Sequence, residues 1–201
     1  MSLGQSGAEI CNLAAVKSTK FLLIRHAESL WNVNGRWQGH GDPGLSPRGR
    51  DQAMGAAAAL ADEHLDRLIC SDLRRAVETA EIIGAPHGLT PQPDSRFREL
   101  DVGRWTGLTR DEIEERDAEL LRCFEREDAD VRPGGGESRR EIRGRVREAI
   151  EAVAVEHAGQ TIALVVHLGV IRALLPGTEP EHVEIRRVTA EQIIEAMERR
   201  R

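Results

Sequence analysis

The sequence KFLLIRHAESLWN occupies residues 20–32 and contains the pattern that decides the fold. Four apolar residues, 21–24, follow one another and then stop at Arg25 and His26. A short, continuous apolar run predicts a strand that is buried on both faces, as in a parallel sheet. Because an arginine and a histidine are costly to bury, their place directly after such a strand makes them candidate site residues.

Two further runs of the same kind are DRLIC at 66–70 and TIALVVH at 161–167. Helical patterns separate them, and their starts carry capping signals: Ser46 followed by Pro47, and the capping boxes that begin at Thr109 and Ser138. Strands that alternate with helices predict an α/β fold with a mostly parallel sheet. Residues 182–200 predict an edge strand and then a surface helix.

The length of 201 residues suits one domain. We expect an N-terminal extension over residues 1–18, partly disordered, and a single domain over residues 19–201. The net charge of −6 argues against a nucleic-acid partner. No apolar run approaches the ~18 residues of a membrane span, and the first residues lack the features of a secretion signal. Three scattered cysteines, Cys11, Cys70 and Cys123, argue against a disulfide framework or a zinc site, and a cytoplasmic location is expected.

Polar side chains follow each of the three predicted strands. In an open parallel sheet, ligands bind beyond the carboxyl ends of the strands. The side chains expected there are Arg25 and His26 after the first strand, Arg75 in the helix after the second, and His167 after the third. Ser71 or Asp72 is expected to open that helix, with Arg75 one turn inside it. Glu99, in the loop RFRELDVGRWTG at 96–107, completes the set, and Asp101 is its rival.

This set of side chains suits a phosphate monoester. The guanidinium group of an arginine can donate two hydrogen bonds at once to the oxygens of the phosphate dianion. Each such charge-assisted hydrogen bond contributes roughly 1.5–3 kcal/mol. A neutral imidazole can attack phosphorus, and nearby arginines favour the neutral form. A carboxylic acid beside the dianion can keep a proton for the leaving alkoxide and later act as a base toward water. None of these steps requires a metal.

Five blocks of the sequence resemble the signature of the histidine phosphatase superfamily, the phosphoglycerate-mutase-like proteins. They are LIRHAES-WN at 23–32, SDLRRAVETA at 71–80, RFRELDVGRWTG at 96–107, GGES at 135–138 and VVHLGVIRALL at 165–175. Their order and spacing agree with the family from about residue 20 to residue 175. The resemblance implies a three-layer α/β sandwich with a central, mostly parallel sheet flanked by helices.

The resemblance also implies a role for each matching residue. His26 matches the nucleophile that becomes phosphorylated, and Glu99 matches the proton donor. The phosphate-binding positions match Arg25, Asn32, Arg75 and His167. One departure stands directly after the second histidine, where the family usually has glycine and this chain has Leu168. Leu168 is therefore expected to narrow the pocket or to shift His167.

The expected activity is that of a metal-independent phosphomonoesterase of the histidine acid type, with no cofactor. It is expected to act on a small phosphorylated metabolite, as a monomer or a homodimer. One alternative is a mutase of the same family, but the 28 residues from Gly107 to Gly134 lack the longer insertion typical of sugar-acid mutases. A weakly active regulatory protein and a metal-dependent phosphatase are further alternatives.

The remaining histidines and some arginines carry weaker expectations. Five histidines in polar stretches are expected to be solvated: His40, His64, His87, His157 and His182. Three arginines indicate a second anionic group on the substrate or, equally, surface charge: Arg36, Arg98 and Arg104.

Overall fold

The computed structural model describes residues 16–199, so residues 1–15 of the predicted extension lie outside it. Within the described residues, the strands are β1 Lys20–Arg25, β2 Arg67–Cys70, β3 Gln92–Pro93, β4 Thr161–Val166 and β5 Ile185–Thr189. The α-helices of the same range are α1 Leu30–Val33, α2 Pro47–Leu60, α3 Arg74–Gly84, α4 Arg110–Glu125, α5 Arg139–Glu156, α6 Leu168–Leu174 and α7 Ala190–Glu198. Short 3₁₀ turns connect several of them: Ala85–His87, Ser95–Phe97, Gly103–Trp105 and Pro133–Gly135.

One mixed sheet contains all five strands of the described chain, in the order β3-β2-β4-β1-β5. β1, β2, β3 and β4 are parallel to their neighbours, and only β5 is antiparallel, at the edge beside β1. The register places Ile24 of β1 and Cys70 of β2 both opposite Val165 of β4. The carboxyl ends of these three strands therefore reach the same edge of the sheet together.

Helices cover both faces of the sheet, which confirms the predicted three-layer α/β sandwich. Phe21 and Leu23 point to a core cluster that contains the buried stripes of α5 and α6. Leu22 and Ile24 point to the opposite cluster, which contains residues of α2 and α3. Because consecutive residues of β1 face two different hydrophobic layers, the strand has a continuous apolar run rather than an alternating one.

Side-chain caps begin the helices where the sequence predicts them. Ser46 caps α2, with Pro47 as its first residue, and Thr109 and Ser138 form complete capping boxes at the starts of α4 and α5. The expected cap of α3 was wrong, because its N-cap is Leu73, which makes no side-chain cap bond.

Asp42, in a different loop, performs the capping of α3. Its Oδ1 accepts a hydrogen bond from Arg74 N at 2.5 Å. Ser71 accepts instead from Leu73 N, and Asp72 is held by Arg98 in a two-bond ion pair. Arg75 consequently lies at the second position of α3, not one turn inside it.

The C-terminal segment forms the predicted edge strand β5 and then α7. α7 buries one face through Ala190, Ile193 and Met197, and its other residues are half-buried or exposed. No helix in residues 16–199 combines the length and the apolar character that crossing a membrane requires.

Candidate active site

The carboxyl edge of the sheet carries a pocket of about 270 Å³. Five of the six predicted site residues line it: Arg25, His26, Asn32, Arg75 and Glu99. The sixth, His167, is fully buried directly behind the pocket wall, with its ring centroid 5.1 Å from that of His26. The structure therefore brings the predicted residues together, with His167 next to the histidine that faces the pocket.

Backbone hydrogen bonds fix the position and the tautomer of His26. Its main-chain N donates to Val166 O of β4 at 2.8 Å, and its Nδ1 lies 2.8 Å from Ala27 O. A carbonyl oxygen only accepts, so Nδ1 must carry a hydrogen and Nε2 keeps the lone pair. Burial, together with the Arg75 charge, holds the pKa of His26 well below its usual value. The ring is therefore neutral near pH 7, with a nucleophilic Nε2.

Arg25 and Arg75 line the pocket together with His26, and each keeps one unpaired donor. Arg25 Nη1 donates to Pro180 O at 3.0 Å, and the two Nη atoms of Arg75 donate to Gly41 O at 2.8 Å and Gly39 O at 2.9 Å. The Nε atom of both arginines is buried and has no partner among the described residues. A buried polar group without a partner costs about 1–3 kcal/mol, and more when it is charged. These donors therefore favour a ligand with anionic oxygens.

His167 adds two further unpaired nitrogens to the same region. Neither ring nitrogen has a hydrogen-bond partner within residues 16–199, although both are buried. Burial, followed by the charge of Arg75, keeps the pKa of His167 well below its usual value. Arg75 itself remains a cation near neutrality, although burial lowers its pKa to about 10.

Glu99 supplies the carboxylate of the pocket, and Asp101 does not. Glu99 Oε1 accepts from Leu100 N at 2.8 Å, and Oε2 accepts from Gly169 N at 3.2 Å. Asp101 accepts from Gly103 N inside its own turn. A Cβ at Gly169 would lie only 2.2 Å from Glu99 Oε1. Close approach of Glu99 therefore requires glycine at 169, the position after Leu168.

The outer pocket wall combines apolar side chains with two arginines. Trp37, Phe124 and Leu168 line it, so the departure at Leu168 does face the pocket. Arg36 and Arg172 lie beside them, where Arg36 pairs with Glu112 and Arg172 with Glu179. Two other arginines that the sequence left open are occupied elsewhere, in ion pairs with acidic side chains: Arg98 with Asp72 and Arg104 with Asp117.

Asn32 acts as a cap at the start of α1. Its Oδ1 accepts hydrogen bonds from Ser29 N at 3.0 Å and Ser29 Oγ at 2.9 Å. Because these donors fix the orientation of the amide, its nitrogen faces away from Ser29, and Asn32 also lines the pocket. Its place in the capping box of α1 is thus compatible with the expected role as a ligand of phosphate.

Two histidines that were expected to be solvated lie at the site, and that expectation was wrong for them. His182 is half-buried, its ring centroid is 5.5 Å from that of His26, and its Nδ1 lies 2.9 Å from His26 O. His40 Nε2 lies 2.9 Å from Glu99 O. His64, in contrast, is exposed as expected. Since β5 runs antiparallel to β1, the residues just before β5 lie beside the carboxyl end of β1. The antiparallel edge strand was therefore the feature that could have placed His182 at the site.

Comparisons with known proteins agree with this geometry. The family model of the histidine phosphatase superfamily (branch 1) matches residues 21–192. Phosphoserine phosphatase 1 of Hydrogenobacter thermophilus is 39% identical over 155 residues, which are 77% of this chain and 74% of the relative. Glucosyl-3-phosphoglycerate phosphatase of Mycobacterium tuberculosis is 38% identical over 167 residues, which are 79% of this chain and 74% of the relative.

A solved structure extends the similarity to the fold. It is a mycobacterial glucosyl-3-phosphoglycerate phosphatase in complex with VO3, with a TM-score of 0.78 and 32% identity. The match covers 87% of this chain and 94% of that chain. The similarity therefore includes nearly the whole of that structure.

Proposed function

Since this chain belongs to the histidine phosphatase superfamily, we propose that it hydrolyses small phosphomonoesters through a phosphohistidine on His26. One observation carries the proposal: Arg25 and Arg75 line the same pocket as a neutral His26, and the ring of His167 lies 5.1 Å from the ring of His26. A phosphoryl dianion offers three oxygens that can accept hydrogen bonds from the two guanidinium groups and from the N–H of His167. Phosphatases among the relatives support the same reaction class.

In the first step, His26 Nε2 attacks phosphorus and the bond from phosphorus to the ester oxygen breaks. Glu99, protonated at this stage, gives its proton to the departing oxygen, which leaves as an alcohol. Arg25 and Arg75 stabilise the charge on the three remaining oxygens as the new phosphorus–nitrogen bond forms. The Nδ1–H bond to Ala27 O stabilises the ring as it becomes positive.

In the second step, water attacks the phosphohistidine. The Glu99 carboxylate accepts a proton from this water, the phosphorus–nitrogen bond breaks, and its electron pair returns to His26 Nε2. Inorganic phosphate leaves, and both residues regain their initial protonation states. The guanidinium groups supply the positive charge that these steps require, so we propose a metal-independent reaction with no cofactor.

The substrate that we propose is a small phosphorylated metabolite with a second anionic group. Phosphoserine and glucosyl-3-phosphoglycerate, the compounds for which two relatives are named, each carry a carboxylate in addition to phosphate. Arg36 and Arg172 on the outer wall of the pocket are the candidate partners of that carboxylate. We further propose a cytoplasmic protein, monomeric or homodimeric, that binds neither nucleic acid nor membranes.

A panel of phosphomonoesters tests the proposed function. The purified protein and the His26→Ala variant are each offered 4-nitrophenyl phosphate, phosphoserine and 3-phosphoglycerate, with and without a chelator. We expect release of inorganic phosphate by the wild type only, unaffected by the chelator. Isomerisation of 3-phosphoglycerate without release would identify a mutase instead. Phosphate binding without turnover of any ester would identify a regulatory protein.

A further inference from the structure

The segment Pro180–Val183 contacts both Arg25, the last residue of β1, and His26, the residue after it. Pro180 O accepts a hydrogen bond from Arg25 Nη1 at 3.0 Å. Val183 N donates to Arg25 O at 2.9 Å, and His182 Nδ1 lies 2.9 Å from His26 O. Since a carbonyl oxygen only accepts, His182 Nδ1 must be the donor. Three contacts from four consecutive residues thus hold Arg25 and the proposed nucleophile, His26.

These contacts lie where the regular pairing of β1 with β5 stops. The antiparallel pairing of β1 with β5 ends at Ile24 and Ile185. Val183 N, one residue out of the register of that pairing, donates to the carbonyl of Arg25. The carbonyl of His26, the residue after β1, accepts from the imidazole of His182. The main chain of His26 is consequently held on both sides, by β4 through its N–H and by His182 through its carbonyl.

The carbonyl of His26 belongs to the peptide group that joins the proposed nucleophile to Ala27, whose own carbonyl contacts the imidazole. In the peptide that joins residues 26 and 27, the carbonyl accepts from His182, and the Ala27 N–H donates to Thr79 Oγ1 at 3.1 Å. The following carbonyl, Ala27 O, accepts the Nδ1–H of the His26 ring. Three successive backbone groups, His26 O, Ala27 N and Ala27 O, are thus held by hydrogen bonds, and the last of these bonds sets the tautomer of His26.

The backbone of the segment is strained in a way that fits a positioning role. Val183 has a φ of 55°, although it is β-branched. Such a conformation costs about 1–3 kcal/mol and persists only where the surroundings impose it. The strain turns the chain so that both Val183 N and the ring of the preceding His182 face the end of β1.

We propose that His182 is a positioning residue for the nucleophile, which deepens and rests on the proposed function. Through its Nδ1–H, it orients the peptide between residues 26 and 27 and so keeps the lone pair of His26 on Nε2, aimed at phosphorus. It does not touch the reacting atoms and transfers no proton.

Two substitutions of His182 that match each other in shape, one with a hydrogen-bond donor and one without, test this role. His182→Asn keeps a donor, because asparagine Nδ2 is bonded to Cγ as histidine Nδ1 is, whereas His182→Leu places a methyl group there. We expect His182→Leu to lower kcat for 4-nitrophenyl phosphate about tenfold or more, with KM changed less than about threefold. His182→Asn should stay within about threefold of the wild type in both constants. The matched control is His64→Leu, at an exposed histidine far from the pocket, and should leave both constants unchanged.

Equal losses in the leucine and asparagine variants would overturn the proposal, as would an unchanged kcat in His182→Leu. A second readout does not depend on turnover. Side-chain ¹⁵N chemical shifts of neutral His26 should report hydrogen on Nδ1 in the wild type and in His182→Asn, and a mixture of tautomers in His182→Leu. If the wild type hydrolyses no ester, the proposed function fails, and the ¹⁵N shifts still decide the positioning role: the same tautomer in all three proteins would refute it.

Discussion

The substitution Gly169→Ala would displace the carboxylate of Glu99, the proposed proton donor. Gly169 lies in the first turn of α6, donates its N–H to Glu99 Oε2, and does not have a positive φ. A Cβ there would lie 2.2 Å from Glu99 Oε1 and 3.2 Å from its carboxyl carbon. Real Cβ atoms essentially never approach within 3.0 Å, so the carboxylate must move by about 1 Å. A shift of this size near the reacting atoms can reduce a rate about 10²-fold.

The loss in Gly169→Ala should depend on the leaving group. An alkoxide needs a proton from Glu99, so kcat/KM for phosphoserine should fall about 10²-fold. A nitrophenolate leaves without a proton, so kcat/KM for 4-nitrophenyl phosphate should fall less than about fivefold. The ratio kcat/KM includes only the steps up to transfer of the phosphoryl group, so slow hydrolysis of the phosphohistidine does not affect it.

The matched control is Gly144→Ala, in the middle of α5, where a Cβ would have no atom within 4 Å. Alanine stabilises a helix interior by about 0.5–1 kcal/mol relative to glycine, so this variant should fold and keep full activity on both esters. Equal losses on the two esters in Gly169→Ala would refute the role of Glu99 as the acid. Full activity on phosphoserine would refute the steric argument itself.

Three other changes have defined outcomes. Arg75→Ala should weaken vanadate binding and lower kcat/KM about 10²-fold or more, because a buried cation that lines the proposed phosphate pocket is lost; an unchanged rate would mean that another arginine binds phosphate. In buffer without phosphate-like anions, the free energy of unfolding should fall by about 2 kcal/mol from pH 6.5 to pH 5.5, measured by urea denaturation. The pKa values of His26 and His167 are lowered in the folded protein, so the unfolded chain binds more protons and stability is lost as the pH falls; a flat profile in this window would contradict their burial as neutral rings. Finally, a chelator should leave turnover unchanged, and a loss that zinc restores would support the metal-dependent alternative.

Local sequence patterns were sufficient to predict the layers and to name most of the residues that meet at the pocket. The apolar run of β1 stops at Arg25 because the sheet edge is there, and parallel strands place their ends together. Helix starts at Ser46, Thr109 and Ser138 were predicted because a cap and its helix are neighbours in sequence. Signals of this kind act over a few residues, so one sequence suffices to show them.

Contacts between distant segments could not be predicted in the same way. Asp42 caps α3 from another loop, and the expected caps, Ser71 and Asp72, are engaged elsewhere. His182 reaches His26 across 156 positions of the chain, from a segment without any periodic pattern. The turn at Leu168 could be predicted only in part. The family resemblance showed that glycine is missing at 168, but only the structure shows that Gly169 is the residue that contacts Glu99.

Trapping the covalent intermediate tests the central claim most directly. The protein is mixed with a radiolabelled phosphomonoester, quenched within milliseconds in alkali, digested, and analysed for labelled peptides. We predict one label per chain that survives alkali and is lost in acid, on the peptide that contains His26, and no label in His26→Ala. Label on another residue, or turnover of the ester by His26→Ala at the wild-type rate, would contradict the account.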